Sequence, residues 1–199
     1  MASSRNGFTV PEGIGAAPVA VPNMRAMTTD GAPITARGTS EDAAVTVEPM
    51  GTPESAALLW AYWTELTSRY LGRDATEPEI AATAAEYTSP YLVPPRGAWL
   101  VVRLEGRVVG GIGLRELEPG VGEVKHMYVL PESRRRGIGR RLMVAVEDEA
   151  RRRGLHSLRL DTRRDLLEAI ALYASQGYAE RPPFTRGEYV DHWFEKHLG

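Results

Sequence analysis

The sequence contains no cysteine, and this absence excludes several kinds of chemistry. Without a thiol the chain has no disulfide, no thiolate zinc site and no acyl-cysteine intermediate, although the redox compartment stays open. The chain also lacks any apolar run approaching the roughly 20 residues that span a bilayer. Its N-terminus lacks the basic and then apolar order of a signal peptide. These absences predict a soluble cytoplasmic protein.

An excess of charge of one sign is missing as well. The sequence has 24 Lys and Arg against 26 Asp and Glu, which gives a formal net charge of -2. Any affinity for nucleic acid or membrane would therefore need a local patch, and the overall balance predicts neither partner. What the chain does have is 43% hydrophobic residues over 199 positions, which predicts one domain with a sizeable core.

The composition changes near residue 43. Residues 1–43 are rich in Ala, Gly, Ser, Thr and Pro and show neither helical nor strand periodicity, which predicts a disordered tail. Because Met24 and Met27 lie within this segment, a start codon assigned too early is an alternative to a functional tail. Residues 44–199 are expected to form a single domain.

Hydrophobic periodicity then predicts the elements of that domain. A short strand precedes a helix that begins after Thr52, a plausible cap, with Pro53 at its first position. A second helix and three strand-like runs follow, and then a helix near Gly137, a strand, a helix that ends at Gly177, and two final strands. This order predicts an α/β fold with one mixed sheet of six to seven strands and about four helices.

The segment "SRRRGIGRR" places two glycines where a helix begins. Apolar residues at helical spacing from Ile138 to Ala150 predict this helix, so Gly137 and Gly139 fall in its first turn, at a cost of roughly 0.5–1 kcal/mol each relative to Ala. Bare backbone N–H groups at a helix start suit a phosphate, and the flanking arginines add donors. Two alternatives stay open: a soluble basic face with glycine used for packing, and a nucleic-acid surface, which would bind with steep salt dependence.

Two longer segments, "MYVLPESRRRGIGRR" and "AIALYASQGY", resemble motifs of the GNAT acetyltransferase superfamily. Arg134, Gly137 and Gly139 match the Arg/Gln-x-x-Gly-x-Gly/Ala signature of that superfamily, and the resemblance covers about residues 44–197. It implies a GNAT-like fold, acetyl-CoA as acyl donor, an amine as acceptor and no metal. A non-catalytic acyl-CoA-binding module is the alternative function.

The resemblance also implies where acetyl-CoA binds. In the family the strand corresponding to "VKHMYV" splays from its parallel neighbour, and the pantetheine arm pairs with its backbone, so an N–H near Met127 would face the thioester oxygen. The pyrophosphate would lie on the backbone from Arg135 to Arg140. The implied cofactor contacts are Met127, Tyr128, Val129, Arg134, Arg135, Arg136, Gly137, Ile138, Gly139, Arg140 and Tyr173.

Tyr173 and Glu123 are the candidate catalytic residues. Tyr173 matches the family position whose hydroxyl often protonates the leaving thiolate, and its alternative is simple helix packing. An alkyl amine needs a general base, for which Glu123 or a water chain is proposed. The alternative for Glu123 is a solvent-facing strand carboxylate paired with Lys125 or an arginine. His126 is a less favoured base, because strict alternation puts it on the opposite face from Glu123 unless a bulge intervenes.

The acceptor is poorly specified by the sequence. It is expected to be a small-molecule or peptide amine, and a homodimer is among the states left open. The position that is often Asn in the family is Leu166 here, for which Asp165 or Thr162 could substitute. Aromatic side chains of the first helix could seat the amine, although core packing is the favoured interpretation. These residues are Trp60, Tyr62, Trp63 and Tyr70.

Overall fold

The chain folds around one mixed β-sheet in a computed structural model that describes residues 44–87, 90–187 and 189–199. The strands are β1 (Ala44–Val47), β2 (Gly97–Leu104), β3 (Arg107–Glu118), β4 (Val121–Val129), β5 (Ser157–Thr162), β6 (Ala179–Glu180) and β7 (His192–His197). The helices are α1 (Pro53–Leu71), α2 (Glu77–Glu86), α3 (Ile138–Arg152) and α4 (Leu167–Ser175). The predicted tail, residues 1–43, lies outside the described residues.

Within the described ranges, the seven strands follow the order β1-β2-β3-β4-β5-β7-β6. Every neighbouring pair is antiparallel except β4 and β5, which are parallel. The α3 helix crosses from β4 to β5, as a parallel connection requires. Together with the four helices, this sheet confirms the predicted fold class.

Local sequence signals explain where α1 begins and ends. The Thr52 side chain accepts a hydrogen bond from the Ser55 backbone N–H at 3.2 Å, and Pro53 occupies the first helical turn. Gly72 ends the helix with a φ of 67°, which glycine adopts without the strain of a side chain. The cap predicted at Thr52 is confirmed, and such a cap typically contributes about 1 kcal/mol to stability.

The sheet has an apolar core on each face. On one face, buried residues of the strands pack with those of α3 and α4, including Leu142, Val146 and Tyr173. On the other face, Leu58 of α1 packs with Trp99 and Tyr128. A Cβ at Gly111 would lie 2.5 Å from the Trp99 ring and 2.9 Å from the Leu58 side chain, so this glycine lets α1 pack closely on the sheet.

A bulge interrupts β4 at His126. Gly111 pairs with Tyr128 and Gly113 pairs with Lys125, so β4 uses one more residue than β3 over this stretch. His126 has a φ of 49°, in the left-handed region. The side chain of His126 therefore contacts Tyr62 and Trp63 of α1.

The bulge corrects the strict alternation considered for β4. Val124 packs in the core beneath α3, whereas His126 lies on the α1 face. Met127 also packs against the α3 core, whereas Tyr128 joins the α1 core. One inserted residue has thus reversed which positions of the strand face each helix layer.

The pairing between β4 and β5 is short. It covers Val121 with Ser157, Gly122 with Leu158 and Glu123 with Arg159. Beyond Glu123 the remainder of β4 has no recorded β5 partner in the described residues, so the two strands separate and leave a wedge. In the same residues, no helix is both long enough and apolar enough to cross a membrane.

Candidate active site

A cavity of about 600 Å³ lies beside this wedge. It is bounded by α1, the end of β4, the first turn of α3 and the start of α4. Most of the cofactor contacts predicted from the sequence line it, namely Met127, Tyr128, Val129, Arg134, Arg135, Gly137, Ile138, Gly139 and Arg140. Arg136 and Tyr173 do not line it. The structure therefore brings two separate sequence segments, the end of β4 and the glycine-containing turn, to one cavity.

The first turn of α3 contains backbone N–H groups that come before the first helical hydrogen bond. The first backbone hydrogen bond of this helix runs from the Arg141 N–H to the Gly137 carbonyl oxygen, at 3.1 Å. The backbone N–H groups before Arg141 therefore have no acceptor one turn earlier in the helix. Gly137 has a φ of 75° and Arg135 a φ of 61°. Left-handed residues in a short loop turn successive N–H groups to one side and form an anion-binding concavity. This geometry fits a pyrophosphate.

Gly139 keeps the floor of this turn open. A Cβ at this position would lie 3.1 Å from Leu172 Cδ2 of α4 and 3.1 Å from Met127 Cε of β4. A longer side chain would therefore enter the space between α3, α4 and β4. This spacing fits the packing alternative for Gly139, and close approach of a phosphate to this backbone stays a prediction.

The end of β4 offers a backbone donor to the wedge. Leu130 N donates to Val109 O of the β3 side at 2.9 Å. Since antiparallel hydrogen bonds alternate along a strand, the N–H of Val129 points the other way, into the wedge. Together the wedge and the turn of α3 fit the arm and the pyrophosphate of acetyl-CoA.

Arg134 has partners that the sequence did not predict. Its Nε donates to Val129 O at 3.0 Å, and its Nη2 pairs with Glu65 of α1 at 2.5 Å. The Tyr128 hydroxyl donates to the same Glu65 oxygen at 3.0 Å. The guanidinium therefore ties the glycine-containing loop to β4 and α1, and direct phosphate binding by this side chain stays a prediction.

Glu65 is held ionised by this arrangement. Burial alone would raise the pKa of Glu65, but the hydrogen bond and charge of Arg134, aided by Tyr128, outweigh burial and hold that pKa below its ordinary value. Arg69, one turn further along α1, pairs with Glu65 at 3.0 Å and with Glu168 of α4 at 2.6 Å. These ion pairs connect α1 to both sides of the cavity.

Tyr173 lies behind the cavity, on α4. Its side chain is 6% exposed and packs near Tyr178 and Phe194. Burial, and then the negative charge of Asp161, raise the pKa of Tyr173 above its ordinary value. Tyr62 lines the cavity. Burial raises the pKa of Tyr62, and the electrostatic influence of Tyr173 raises it further. Tyr62 thus connects the cavity to Tyr173.

Glu123 lies on the α1 face of β4, in the part of the strand paired with β5. Its side chain is fully buried, pairs with Arg115, and lies 3.2 Å from Lys125 Nζ. Both partners were anticipated in the alternative interpretation of this residue, but its placement of Glu123 in solvent was wrong, because the side chain is buried between them. Glu123 does not line the cavity, so a role as base would require water or Lys125 to connect it to the amine.

His126 is an unsuitable base in this environment. Burial, and secondarily the charges of Lys125 and Arg115, lower the pKa of His126 to about 3. The imidazole is therefore neutral at neutral pH and packs edge-on against Trp63 and Tyr62. This agrees with the sequence-based preference for a packed histidine.

The aromatic residues of α1 divide between two roles. Trp63 is 8% exposed and packs in the interior, as favoured from the sequence. Tyr62 instead lines the cavity, and Tyr70 is 49% exposed with its ring 4.7 Å from that of Tyr189. Sequence reasoning therefore identified the right helix but not which of its aromatic residues reach the site.

Two other features were missed or left open by the sequence. Glu65 and Arg69 occupy positions i and i+4 of α1, a spacing that signals a helix ion pair but not its partner segments. Leu166 lines the cavity, whereas Asp165, a proposed substitute, is bonded to Arg163 at 2.7 and 2.9 Å. Across the described ranges no group of three or more His, Cys, Asp or Glu is arranged to hold a metal ion.

Comparison with known proteins gives consistent matches. The sequence profile of the acetyltransferase (GNAT) family matches residues 56–178. An IAA acetyltransferase of Azospirillum brasilense is 48% identical over 94 residues, which are 47% of this chain and 61% of that protein. The uncharacterised N-acetyltransferase YjgM of Escherichia coli K12 is 39% identical over 87 residues, 42% of this chain and 52% of its own length. The chain thus spans only about half to three-fifths of these relatives.

Solved structures share the fold over more of the chain. A Klebsiella pneumoniae protein provisionally described as an acyl-CoA N-acyltransferase superposes with a TM-score of 0.64 and 28% identity, over 79% of this chain and 99% of that one. The PaiA N-acetyltransferase of Thermoplasma acidophilum, solved with coenzyme A, gives a TM-score of 0.60 at 16% identity, over 77% and 99% of the two chains. The second likeness concerns the fold alone.

Proposed function

Because the chain belongs to the acetyltransferase (GNAT) family, we propose that it catalyses transfer of an acetyl group from acetyl-CoA to a primary amine in a direct ternary complex. The observation that carries this proposal is the open wedge of β4 beside the first turn of α3, within one cavity. The family match confirms the resemblance found in the motifs and supports acetyl-CoA as the proposed cosubstrate.

Acetyl-CoA, when bound, supplies an acyl carbon activated as a thioester. The chain would hold it by two backbone segments. The N–H groups of Ile138 to Arg140 would bind its pyrophosphate, and that of Val129 its pantetheine arm. A backbone donor near Met127 would stabilise the oxyanion, for which one such donor typically contributes roughly 2.7–4 kcal/mol.

Proton transfers complete the proposed reaction. The raised pKa keeps the Tyr173 hydroxyl protonated throughout the neutral range but also makes it a weaker acid, so its donation of a proton to the departing thiolate is proposed from its position in the family motif. Glu123, acting through water, would take the proton that the amine loses. Both roles stay predictions, since neither Tyr173 nor Glu123 lines the cavity.

Calorimetric titration with acetyl-CoA tests the proposed site. We expect saturable binding by the wild type and its loss in Gly139→Glu, whose side chain would enter the cradle between Met127 and Leu172. Gly51→Glu is the matched control, because a Cβ at Gly51 has nothing within 4 Å. Absence of binding by the folded wild type would contradict the proposal.

The proposal also covers the acceptor amine and the oligomeric state of the protein. The acceptor is a small-molecule amine or a peptide or protein amine, which separate acetylation assays with free amines and peptides would distinguish. A cytoplasmic location and a homodimer also stay predictions. Light scattering coupled to size-exclusion chromatography measures the mass that decides the second.

A further inference from the structure

We propose that the hydroxyl of Tyr62, on α1, donates a hydrogen bond to the thioester oxygen of acetyl-CoA and stabilises the oxyanion that forms there during transfer. The inference rests on the proposed function, because it adds a side-chain donor to the acetyl transfer itself. It starts from a tyrosine of the first helix to which neither the motifs nor the family match gives a catalytic role.

Tyr62 lies against the bulge of β4. Its ring packs edge-on against His126, with ring centroids 5.5 Å apart, and against Tyr128, with centroids 5.7 Å apart. These two residues flank Met127, and the bulge turns both of their side chains to the α1 face. Tyr62 therefore spans the stretch of β4 in which a backbone N–H near Met127 is proposed to face the thioester oxygen.

The hydroxyl of Tyr62 is available to a ligand in the cavity. Two tyrosines, Tyr62 and Tyr128, line the cavity, and the Tyr128 hydroxyl donates to Glu65 at 3.0 Å. The Tyr62 hydroxyl has no hydrogen-bond partner among the residues that the structure describes. Its oxygen is also not closed off in the way that the buried, unpaired Tyr178 hydroxyl is. The Tyr62 hydroxyl is therefore open to the cavity.

The other polar side chains that α1 contributes to the cavity already have partners. Glu65 pairs with Arg134, and Arg69 pairs with Glu65 at 3.0 Å and with Glu168 at 2.6 Å. Tyr62 is thus the polar residue that this helix leaves uncommitted at the cavity.

Apolar side chains surround this donor. Leu66, Met127 and Leu172 line the same cavity. A hydrogen bond to a developing charge contributes more in such surroundings than in water, because the local dielectric constant is lower. A hydroxyl held in place by two rings of β4 also needs little reorganisation when the charge forms.

The pKa of Tyr62 favours hydrogen-bond donation over proton transfer. Burial, and then the influence of Tyr173 and Asp161, raise this pKa above its ordinary value. A hydroxyl with a raised pKa is a poor acid but keeps its proton, so it remains a donor at neutral pH.

The proposed step conserves the Tyr62 proton. Attack by the amine forms the C–N bond and moves the carbonyl electron pair onto oxygen, where Tyr62 and the backbone N–H both donate. Collapse of this intermediate restores the carbonyl and breaks the C–S bond, so that the electron pair leaves with the CoA sulfur. Tyr62 is protonated before and after the step.

Infrared spectroscopy of bound acetyl-CoA, labelled at the acetyl carbonyl, tests the contact without any acceptor. A donated hydrogen bond lowers the stretching frequency of a carbonyl group. We expect a lower thioester frequency in the wild type than in Tyr62→Phe, which keeps the ring and removes only the hydroxyl. Tyr70→Phe is the matched control, because Tyr70 lies on the same helix, is 49% exposed and does not line the cavity.

Release of CoA with n-butylamine as probe acceptor gives a second readout. Because the chain has no cysteine, a thiol reagent reports CoA alone. Tyr62→Phe should lower kcat by about 10²-fold with little change in the Kd of acetyl-CoA, as expected for a donor to the oxyanion. Tyr70→Phe should retain the wild-type kcat.

The variant should fold as the wild type does, which circular dichroism checks. The Tyr62 hydroxyl has no partner in the described part of the chain, so its removal leaves no described group unpaired.

The outcomes separate the two proposals. An equal thioester frequency in the wild type and in Tyr62→Phe would overturn the Tyr62 contact and leave the acetyltransferase function standing. An unchanged kcat in Tyr62→Phe would overturn the oxyanion role in the same way, because such a donor must act more strongly in the transition state than in the ground state. Absence of acetyl-CoA binding by the folded wild type would instead overturn the proposed function, and this inference with it.

Discussion

The most informative single residue is Tyr173, because it combines complete packing with a position near the reaction site. Its ring lies 6.2 Å from that of Tyr178 and 6.1 Å from that of Phe194, as a structural tyrosine would. Burial and then the charge of Asp161 raise the pKa of its hydroxyl, and Tyr173 in turn helps to raise the pKa of Tyr62, which lines the cavity. Packing and acid catalysis are therefore compatible in this residue.

Replacing Tyr173 by Phe separates these two roles. The substitution keeps the ring and removes only the hydroxyl, so we expect little change in stability or in acetyl-CoA affinity. If the hydroxyl protonates the thiolate, kcat should fall by about 10²-fold. Steady-state kinetics at saturating acetyl-CoA measure this fall. Tyr178→Phe, a neighbouring buried tyrosine, is the matched control.

An unchanged kcat in Tyr173→Phe would leave Tyr173 as a packing residue. Binding of acetyl-CoA without turnover in both the wild type and Tyr173→Phe would favour an acyl-CoA-binding module. The two results are distinguished by the wild-type rate alone.

At the scale of elements, α1 is coupled to the glycine-containing loop through Glu65. Glu65 accepts from Arg134, which itself bonds to the end of β4, and the Tyr128 hydroxyl completes the set. One carboxylate on a helix thus fixes a loop that lies 69 residues further along the chain. Loss of this contact should loosen the glycine-containing turn at the start of α3.

Glu65→Gln should reduce the free energy of unfolding at pH 7 by about 1 kcal/mol, a value that allows for solvent screening of a partly exposed pair. Because the folded-state pKa of Glu65 is lowered, its stabilisation is present above the unfolded pKa, about 4.3, and is lost as the pH falls through the lower folded value. The difference between variant and wild type should therefore shrink below about pH 4.

Urea unfolding at pH 7 and at pH 3.5 measures this difference. Glu86→Gln, at an exposed position of α2, is the control and should change stability by less than about 0.5 kcal/mol at either pH. A difference between Glu65→Gln and wild type that is equal at both pH values would show that the ion pair is not its source.

The sequence predicted the elements better than the contacts between them. The 3.6-residue spacing of apolar residues predicted α3, and Thr52 with Pro53 predicted the start of α1. Both signals could be read because each lies within one segment of the sequence. The position of the bulge at His126 could not be predicted from the sequence of β4, since a bulge is defined by the register of β4 with β3, which is a separate segment. The partners of Arg134 and Tyr62 come from distant segments, and spacing within one segment carries no information about them.

At the scale of the whole molecule, the sheet consists of two parts. Strands β1 to β4 form one part and β5, β7 and β6 the other, and only three residue pairs join β4 to β5. The rest of that boundary is the wedge proposed to hold the arm of acetyl-CoA. The cosubstrate would thus replace strand pairing that the chain itself does not make.

Hydrogen exchange can test this arrangement. On addition of acetyl-CoA, the amide of Val129 should exchange at least about tenfold more slowly, because it gains a hydrogen-bond acceptor in the wedge. The amide of Gly122, within the paired part of β4, should change little and serves as an internal control. Equal changes at both positions would indicate general stabilisation rather than pairing in the wedge.

The short boundary between the two parts of the sheet also affects how long the protein lasts in a cell. A ligand that binds only the folded chain lowers the unfolded fraction by mass action, by about 2.7 kcal/mol when its concentration is 100 times its Kd. Proteases remove chains from the unfolded fraction. The abundance of this protein should therefore follow the supply of acetyl-CoA, so that carbon starvation would reduce the amount of enzyme as well as its rate.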